Sequence, residues 1–423
     1  MVDVCSFKAL RFNTEITGCP DAVLTPPYDV IDAEARERLG ASGPFNMTHL
    51  MLPKAQGGRN AYDTAAALLK QWRESGALVC DDTPGIYLLR QKFLDDTGMM
   101  RIRKVFFALI RIPEADEKSI LGHERTFDKP VEDRLMLTRA VKANLEPIFV
   151  MYSDPDQTLT TDLFRVMDAE APLFAARTSD GVVQELWRSD YPDALQAHLK
   201  DQVLYIADGH HRFKTACTYR DEQRAAAGDT GFTGKAYDFV LAGFVAFEDP
   251  GLCIFPTHRY LPADFTFGDD ELLEKLKPWF DCDRLADEDA PEKALALNPG
   301  ACRFVLYAGK KKAWLLTLKE DKREALVGTD RHAAWRDLDV AVLHRGIFSH
   351  ILHLPDSVPY GYGQHAEAVI KEVDEGKASV AFLLRATLSR QVRACAEAFE
   401  PMPQKTTFYF PKLPSGAVLN PLE

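Results

Sequence analysis

Asp208-Gly209-His210-His211-Arg212 gathers more reactive chemistry than any other stretch of the chain. The strand-forming residues Leu204-Tyr205-Ile206-Ala207 precede it and a helical pattern follows from Phe213. The order is therefore strand, tight turn, helix N-terminus, with the helix expected to start near His211. Gly209 permits backbone conformations and close approaches that a side chain would obstruct. The first amides of a helix lack intrahelical acceptors and sit at the positive end of its dipole, so they suit an anion such as phosphate. Arg212 could add a bidentate charged contact, and Asp208 could orient a hydroxyl, an amine or a metal. A plain helix cap would explain Asp208 but needs neither two histidines nor an arginine. Adjacent histidines on a turn diverge, which disfavours zinc chelation by the pair.

Three further groups could act beside it. In His123-Glu124-Arg125-Thr126 a glutamate between histidine and arginine, ahead of a helix, is placed to be a general base; a helix-entry salt bridge is the alternative. Gln404-Lys405-Thr406-Thr407, with Lys412 beyond it, offers ammonium, hydroxyl and amide groups that could clasp phosphate oxygens. A surface loop before an aromatic strand is the alternative there. Thr257-His258-Arg259 follows a long apolar strand, and its alternative is an element end with His258 satisfied by backbone. Tyr28-Asp29 and Asn46 lie in loops punctuated by proline or glycine, which read as turns. There is no Walker-type G-x-x-x-x-G-K-[ST] and no convincing Rossmann fingerprint, so phosphate binding requires another cradle.

At 423 residues, 46% hydrophobic and 27% charged, the chain has the composition of a globular protein with room for two or three domains. A net charge of −12 argues against a nucleic-acid binder relying on a basic face. No apolar run approaches membrane-spanning length, and Met1–Lys8 does not read as a signal peptide, so a cytoplasmic location and no membrane partner are expected. The eight cysteines are scattered without a C-x-x-C pair and suit reduced, mostly buried thiols. Cys217, in the helix after the histidine turn, reads as core packing rather than as a nucleophile.

Several elements must position these groups. The spacing predicts helices at Asp32–Leu39 and from Ala61 to Trp72, the latter capped by Asn60 and stopped by Gly76. Ile86–Phe93 and Met99–Ile112 read as a β-hairpin around Asp95-Asp96-Thr97-Gly98. Then come helix Glu132–Ala143, strand Pro147–Tyr152, helix Leu159–Glu170, strand Val182–Trp187, helix Tyr191–Leu199 and, after the histidine turn, strand Tyr237–Phe247. Helix Asp270–Leu276, strands Cys302–Tyr307 and Lys312–Leu318, helices Trp335–Leu352 and Ala366–Glu375, strand Ser379–Leu384 and helix Leu388–Ala398 complete the pattern. The aromatic tail Met402–Leu413 is expected to fold back onto the body, bringing Lys405 or Lys412 toward the phosphate site. Intermixed strands, helices and hairpins make the fold class α+β, with mixed sheets. Expected domains are residues 1–116 (α+β), 117–265 (a core with the ligand site) and 266–423 (α+β, folding back on the core).

The Asp-Gly-His-His-Arg loop resembles that of the ParB/sulfiredoxin-like superfamily, whose free serine kinase branch transfers phosphate to the serine hydroxyl. Glu124, the following helix, Pro147-Ile148-Phe149-Val150 and Asp208–Arg212 occur in the order found in that branch. The resemblance implies a ParB/sulfiredoxin-like core with N- and C-terminal additions. It implies Glu124 as catalytic base and Asp208 as the aspartate on the serine side. About fifty residues separate Val150 from the histidine turn, more than such a core needs. Over its full length the chain looks like the family called domain of unknown function 1015. The words that carry this likeness are Pro26-Pro27-Tyr28-Asp29-Val30-Ile31, His123–Thr126, Ile206–Arg212, Pro256–Arg259 and Met402–Thr407.

The expected activity is therefore small-molecule phosphotransfer, with serine or phosphoserine and a nucleotide or pyrophosphate as reactants. Glu124, Asp208 and His210 would be catalytic. His123, Gly209, His211, Arg212, Lys405, Thr406, Thr407, His258 and Arg259 would bind substrate or phosphate. No protein-held metal site is expected, but Mg2+ should accompany the donor. A homodimer is compatible with the sequence. The rivals are a phosphoserine phosphatase using the same site and a non-catalytic, ParB-like nucleotide sensor. Sulfiredoxin-type repair would need a cysteine inside the loop, where position 210 is histidine.

Overall fold

The structure is a computed structural model that describes residues 1–190, 193–265, 268–286, 291–298, 300–355 and 357–423. Tyr191 and Pro192, expected to open a helix, and Thr266, expected to open the last domain, lie outside the described residues. Internal contacts divide the chain into two compact units. The first comprises Met1–Gly122, Thr126–Cys253 and Pro411–Glu423; the second comprises His123–Arg125 and Ile254–Phe410. The fold class is α+β. No helix among the described residues is long and apolar enough to cross a membrane.

The first unit is built on a mixed nine-stranded sheet. Its strands are β1 (Val4–Cys5), β2 (Ile86–Leu94), β3 (Met100–Arg111), β4 (Ile120–Leu121), β5 (Ile148–Tyr152), β6 (Phe174–Arg177), β7 (Val183–Ser189), β8 (Leu204–Asp208) and β9 (Phe239–Ala246). The order is β4-β8-β5-β9-β3-β2-β7-β6, with β1 added beside β3. β2 and β3 form the expected hairpin, pairing antiparallel from Tyr87↔Phe107 to Leu94↔Met100. β9 runs antiparallel to β3 and parallel to β5, and all but one of its residues are buried, as its near-continuous apolar sequence requires. β8 pairs antiparallel with β5, and its register slips between Ile206 and Asp208, just before the histidine turn. A bulge of this kind re-aims the side chain that follows it.

Three helices of this unit matter below: α1 (Ala61–Glu74), α2 (Asp128–Val141) and α3 (His210–Ala227). Asn60 caps α1 by accepting from the Asp63 amide at 2.9 Å, and Gly76 takes φ +74° beyond its end. α2 begins four residues earlier than the periodicity suggested, so Lys129-Pro130 lies inside its first turn. Proline is tolerated there because first-turn amides have no intrahelical acceptor to lose. α3 starts at His210, packs against α2, and ends at Gly228 with φ +73°. The strand Phe174–Arg177 carried no recognised signal; among the described residues it is an edge strand paired only with β7. The helix expected over Leu159–Glu170 is two pieces, Thr158–Phe164 and Val166–Ala169.

The second unit holds a six-stranded sheet of β10 (His258–Pro262), β11 (Phe280–Arg284), β12 (Arg303–Tyr307), β13 (Ala313–Leu318), β14 (Gly361–Gly363) and β15 (Ala378–Leu383). The order is β11-β13-β12-β15-β10-β14. The long helix expected at Trp335–Leu352 is broken. Ala333–Arg336 and Asp339–Ala341 are separated by extended backbone at Leu338, and Val342–Ile351 is a π-helix. Tyr409 of the aromatic tail is buried and Phe410 stacks on Phe255 at 4.6 Å.

Candidate functional site

In the first unit, the buried strand β8 delivers Asp208 to the foot of α3. Gly209 has φ +90°, and a Cβ there would lie 3.1 Å from the Arg212 guanidinium, so two independent constraints exclude a side chain. The first intrahelical bond runs from Phe213 N to Gly209 O at 2.9 Å, leaving the amides ahead of it to face out of the helix end. Arg212 folds back over the glycine. Its Nη2 donates to Asp208 Oδ2 at 2.6 Å and its Nη1 to the Pro147 carbonyl. Lys412 Nζ donates to the other Asp208 oxygen, Oδ1, at 2.9 Å. Burial alone would push the Asp208 carboxyl up, but Lys412 and Arg212 outweigh it and hold the group well below the usual carboxylate range. Two cations thus flank one carboxylate beside a helix N-terminus, with Glu146 and Asp29 as further acidic groups acting on Arg212.

The two histidines play separate parts. His210 is buried, and a Cβ on Gly122 would come within 2.9 Å of its ring, so that glycine makes room for it. Burial pushes His210 down to about 4 against the pull of Asp208, so the imidazole is neutral at neutral pH. His211 Nε2 accepts from the Phe127 amide at 3.1 Å, which places its proton on Nδ1.

Sequence reasoning missed what holds Lys412. Gln184 Oε1 accepts from Gln91 Nε2 at 2.9 Å, and that same amide reaches the Lys412 carbonyl at 3.1 Å. Gln91 Oε1 accepts from Arg103 Nε at 2.9 Å, and Arg103 Nη2 donates to the Pro411 carbonyl. This buried ladder across β7, β2 and β3 fixes the backbone at Pro411–Lys412 and so aims the ammonium. Its signal was polar residues at inward positions of otherwise apolar strands. Glu146 was missed too. It is buried, accepts from Tyr28 N and Ser415 Oγ at 3.0 Å each, and lines a cavity of about 50 Å³ together with Arg134, Arg212 and Tyr219. Tyr28 of the proline-rich turn is further fixed by Arg134, whose guanidinium lies 4.2 Å from the ring centre.

In the second unit, His123 is buried, with Nε2 3.1 Å from Thr407 Oγ1 and 4.0 Å from Glu124 Oε1. Its carbonyl accepts from Met402 N at 2.8 Å. The Glu124 side chain is 31% exposed. The Thr406 side chain is buried and turned back to the Pro403 carbonyl. His258 and Arg259, expected to touch phosphate, are buried. His258 Nδ1 accepts from Leu384 N at 3.2 Å and burial pushes it down to about 4. Arg259 spends its donors on the carbonyls of Thr257, Gln404 and Lys405 and on His344 Nε2. Arg259 therefore stands behind the Gln404–Thr407 turn, and neither residue lies at an open surface.

A protein-family profile described as "Protein of unknown function (DUF1015)" matches residues 4–341. The chain belongs to this family. No curated protein matches it. Similar solved structures include a free serine kinase variant in complex with AMP, at 13% identity and TM-score 0.35, covering 72% of this chain and 87% of that one. A conserved hypothetical protein from Pyrococcus furiosus has 15% identity and TM-score 0.32, covering 73% and 93%. SbnI from Staphylococcus aureus, truncated at its C-terminus, has 11% identity and TM-score 0.35, covering 75% and 87%.

In this family member the eight cysteines are all free, and burial pushes the Cys217 thiol up to about 11. That thiol packs against the sheet core, and its raised pKa disfavours the reactive thiolate. Among the described residues no group of three or more His, Cys, Asp or Glu side chains could hold a metal ion.

Proposed function

We propose that this protein is a small-molecule phosphotransferase of free serine kinase type, acting on serine or phosphoserine with a nucleotide or pyrophosphate. The observation that carries this reading is the Lys412–Asp208–Arg212 arrangement at the glycine-capped start of α3. Positive charge, outward-facing amides and a neutral imidazole at one helix end suit the spread negative charge of a transferring phosphoryl group. In this reading Glu124 takes the proton of the serine hydroxyl as that oxygen bonds to phosphorus. The donor's bridging P–O bond breaks and its electron pair leaves with the shortened donor. Run in reverse, or with water as acceptor, the same groups would serve a phosphatase. Both Asp208 oxygens are already engaged by cations, so the carboxylate acts chiefly by setting Lys412 and Arg212. Mg2+ would enter as the counter-ion of the donor's phosphates rather than on a cage of protein ligands.

The test is phosphorus NMR of the full chain with serine or phosphoserine and, in turn, ATP, ADP and pyrophosphate, each with Mg2+. Conversion of one pair is expected. Tight nucleotide binding with no turnover of any pair would overturn the enzyme reading in favour of a sensor.

A further inference from the structure

The first unit holds a second cavity, of about 180 Å³, that shares no lining residue with the histidine turn. Phe12, Leu24, Val79, Phe174 and Ala417 give it apolar walls, and Arg11, Asn13, Thr14 and Thr17 add polar groups. Distant segments meet there because the backbone pairs them. Leu10–Phe12 runs antiparallel to Leu78–Cys80, and the Arg177 amide of the edge strand β6 donates to Asp21 Oδ1 at 2.8 Å, tying that strand to the Pro20–Ala22 turn. Gly416 also lines the cavity, as bare backbone: a Cβ there would lie 2.6 Å from Met47 and 3.5 Å from the Phe12 ring. Thr14 and Leu173 on the wall are exposed, so the cavity is not sealed from solvent.

Size and polarity together select a ligand. An apolar cavity of roughly 150 Å³ takes a benzene ring, so this one has room for a six-membered ring with a small substituent. Among the described lining residues Arg11 is the single charged side chain. It donates to Asp81 through Nε and Nη2, which leaves Nη1 outside that pair. Asn13 spends Oδ1 on the Glu15 amide at 3.1 Å, while its Nδ2 donates to no acceptor among the described residues. The spare capacity of Arg11 and Asn13 is therefore in N–H donors, one of them cationic, with no acid on the wall.

We propose that this cavity is a binding site for a small carboxylate with a ring-sized apolar body, the ring against Phe12, Val79 and Phe174 and the carboxylate on Arg11 and Asn13. The pattern is that of small-molecule sites in general, apolar walls with a few polar groups that fix orientation. A charged acceptor is favoured over a neutral one because guanidinium-to-carboxylate hydrogen bonds are the stronger kind. The site goes beyond the phosphotransferase reading and does not rest on it.

The test is methyl NMR of the full chain with labelled valine and leucine, titrated with benzoate and separately with benzamide and benzene at constant ionic strength. Saturable shifts of the Val23, Leu24 and Val79 methyls with one shared dissociation constant are expected, on the order of 1 mM for benzoate, the range of so small a ligand. Benzamide and benzene should bind more weakly. Asn13→Asp keeps an oxygen for the Glu15 amide, so the cap survives, but it removes a donor and sets a like charge against the ligand. It should weaken benzoate about tenfold or more, the size of one charge-assisted contact. Val79→Phe, which fills the cavity, should abolish the Val23 and Leu24 shifts. Should Val79→Phe fail to fold, Asn13→Asp decides alone. Methyls that stay still, or that shift without saturating, would overturn the site. Benzamide or benzene as tight as benzoate would overturn the carboxylate class, and benzoate affinity within twofold of wild type in Asn13→Asp would overturn the placement of the carboxylate. Phosphoryl transfer is read in a separate assay, so failure of that activity and failure of this site are distinguishable.

Discussion

Lys412→Met tests the arrangement at the histidine turn most directly. The ammonium lies 2.9 Å from Asp208 Oδ1, and the two side chains are 10% and 16% exposed, so solvent screens the pair little. Arg212, 2.6 Å from the other oxygen, remains in the variant, so Asp208 is left half-compensated rather than bare. The loss should therefore resemble one charge-assisted hydrogen bond, about 1.5–3 kcal/mol, rather than a fully broken buried pair. If the ammonium also serves a bound phosphoryl group, a similar term converts to roughly a tenfold to hundredfold rise in phosphate dissociation constant. Urea unfolding and calorimetric phosphate titration at pH 7.5 measure the two effects. The pH dependence supplies an internal check. The folded Asp208 carboxyl is depressed, so its contribution is fully present above the unfolded value of about 4 and is lost completely only as pH falls through the folded value, well below the usual carboxylate range. The stability gap between wild type and Lys412→Met should thus persist at pH 4 and narrow only in stronger acid, where the folded Asp208 carboxyl itself protonates. A gap already closed at pH 4, or phosphate affinity within twofold of wild type, would refute the assignment.

Gly209→Ala should cost about 1–2 kcal/mol for left-handed backbone and also displace Arg212, abolishing saturable phosphate shifts at the His210–Phe213 amides; unchanged shifts would show the turn tolerates the methyl. Glu124→Gln should remove turnover in the phosphorus NMR assay while leaving phosphate affinity within about twofold, because the amide keeps the shape but accepts no proton; equal losses in both would point to a structural role. His210, His258 and His344 are all pushed down by burial, to about 4, 4 and 3. Each favours the folded state fully above the unfolded value of about 6.5 and loses that contribution as pH falls toward its folded value. Unfolding free energy should therefore fall between pH 6.5 and 4, and His210→Gln should flatten part of that slope.

Much of the site's local geometry was legible because it is local. A β-rich run, a glycine and a helical pattern sufficed to place Asp208 at a strand end and His210–Arg212 on a helix N-terminus, since main-chain sterics and helix periodicity act over a few residues. The Asn60 cap, the β2–β3 hairpin and the inert setting of Cys217 were read in the same way. Long-range packing overrode local pattern elsewhere. The stretch Trp335–Leu352 has helical spacing throughout, yet Leu338 is extended and the remainder winds as a π-helix.

The sequence by itself determined the α+β class, the strand–glycine–helix turn and the candidate chemistry of Glu124, His210 and Arg212. Only the tertiary structure decided which cation meets Asp208: Lys412, from 204 positions away, held by a Gln184–Gln91–Arg103 ladder drawn from three strands. It also decided that Arg259 is a buried brace rather than a surface contact. The physical reason is the same in both cases. Periodicity and turn chemistry encode what neighbours in sequence do to one another. A buried charge takes its role from whichever distant carboxylates or carbonyls the sheets bring within about 3 Å.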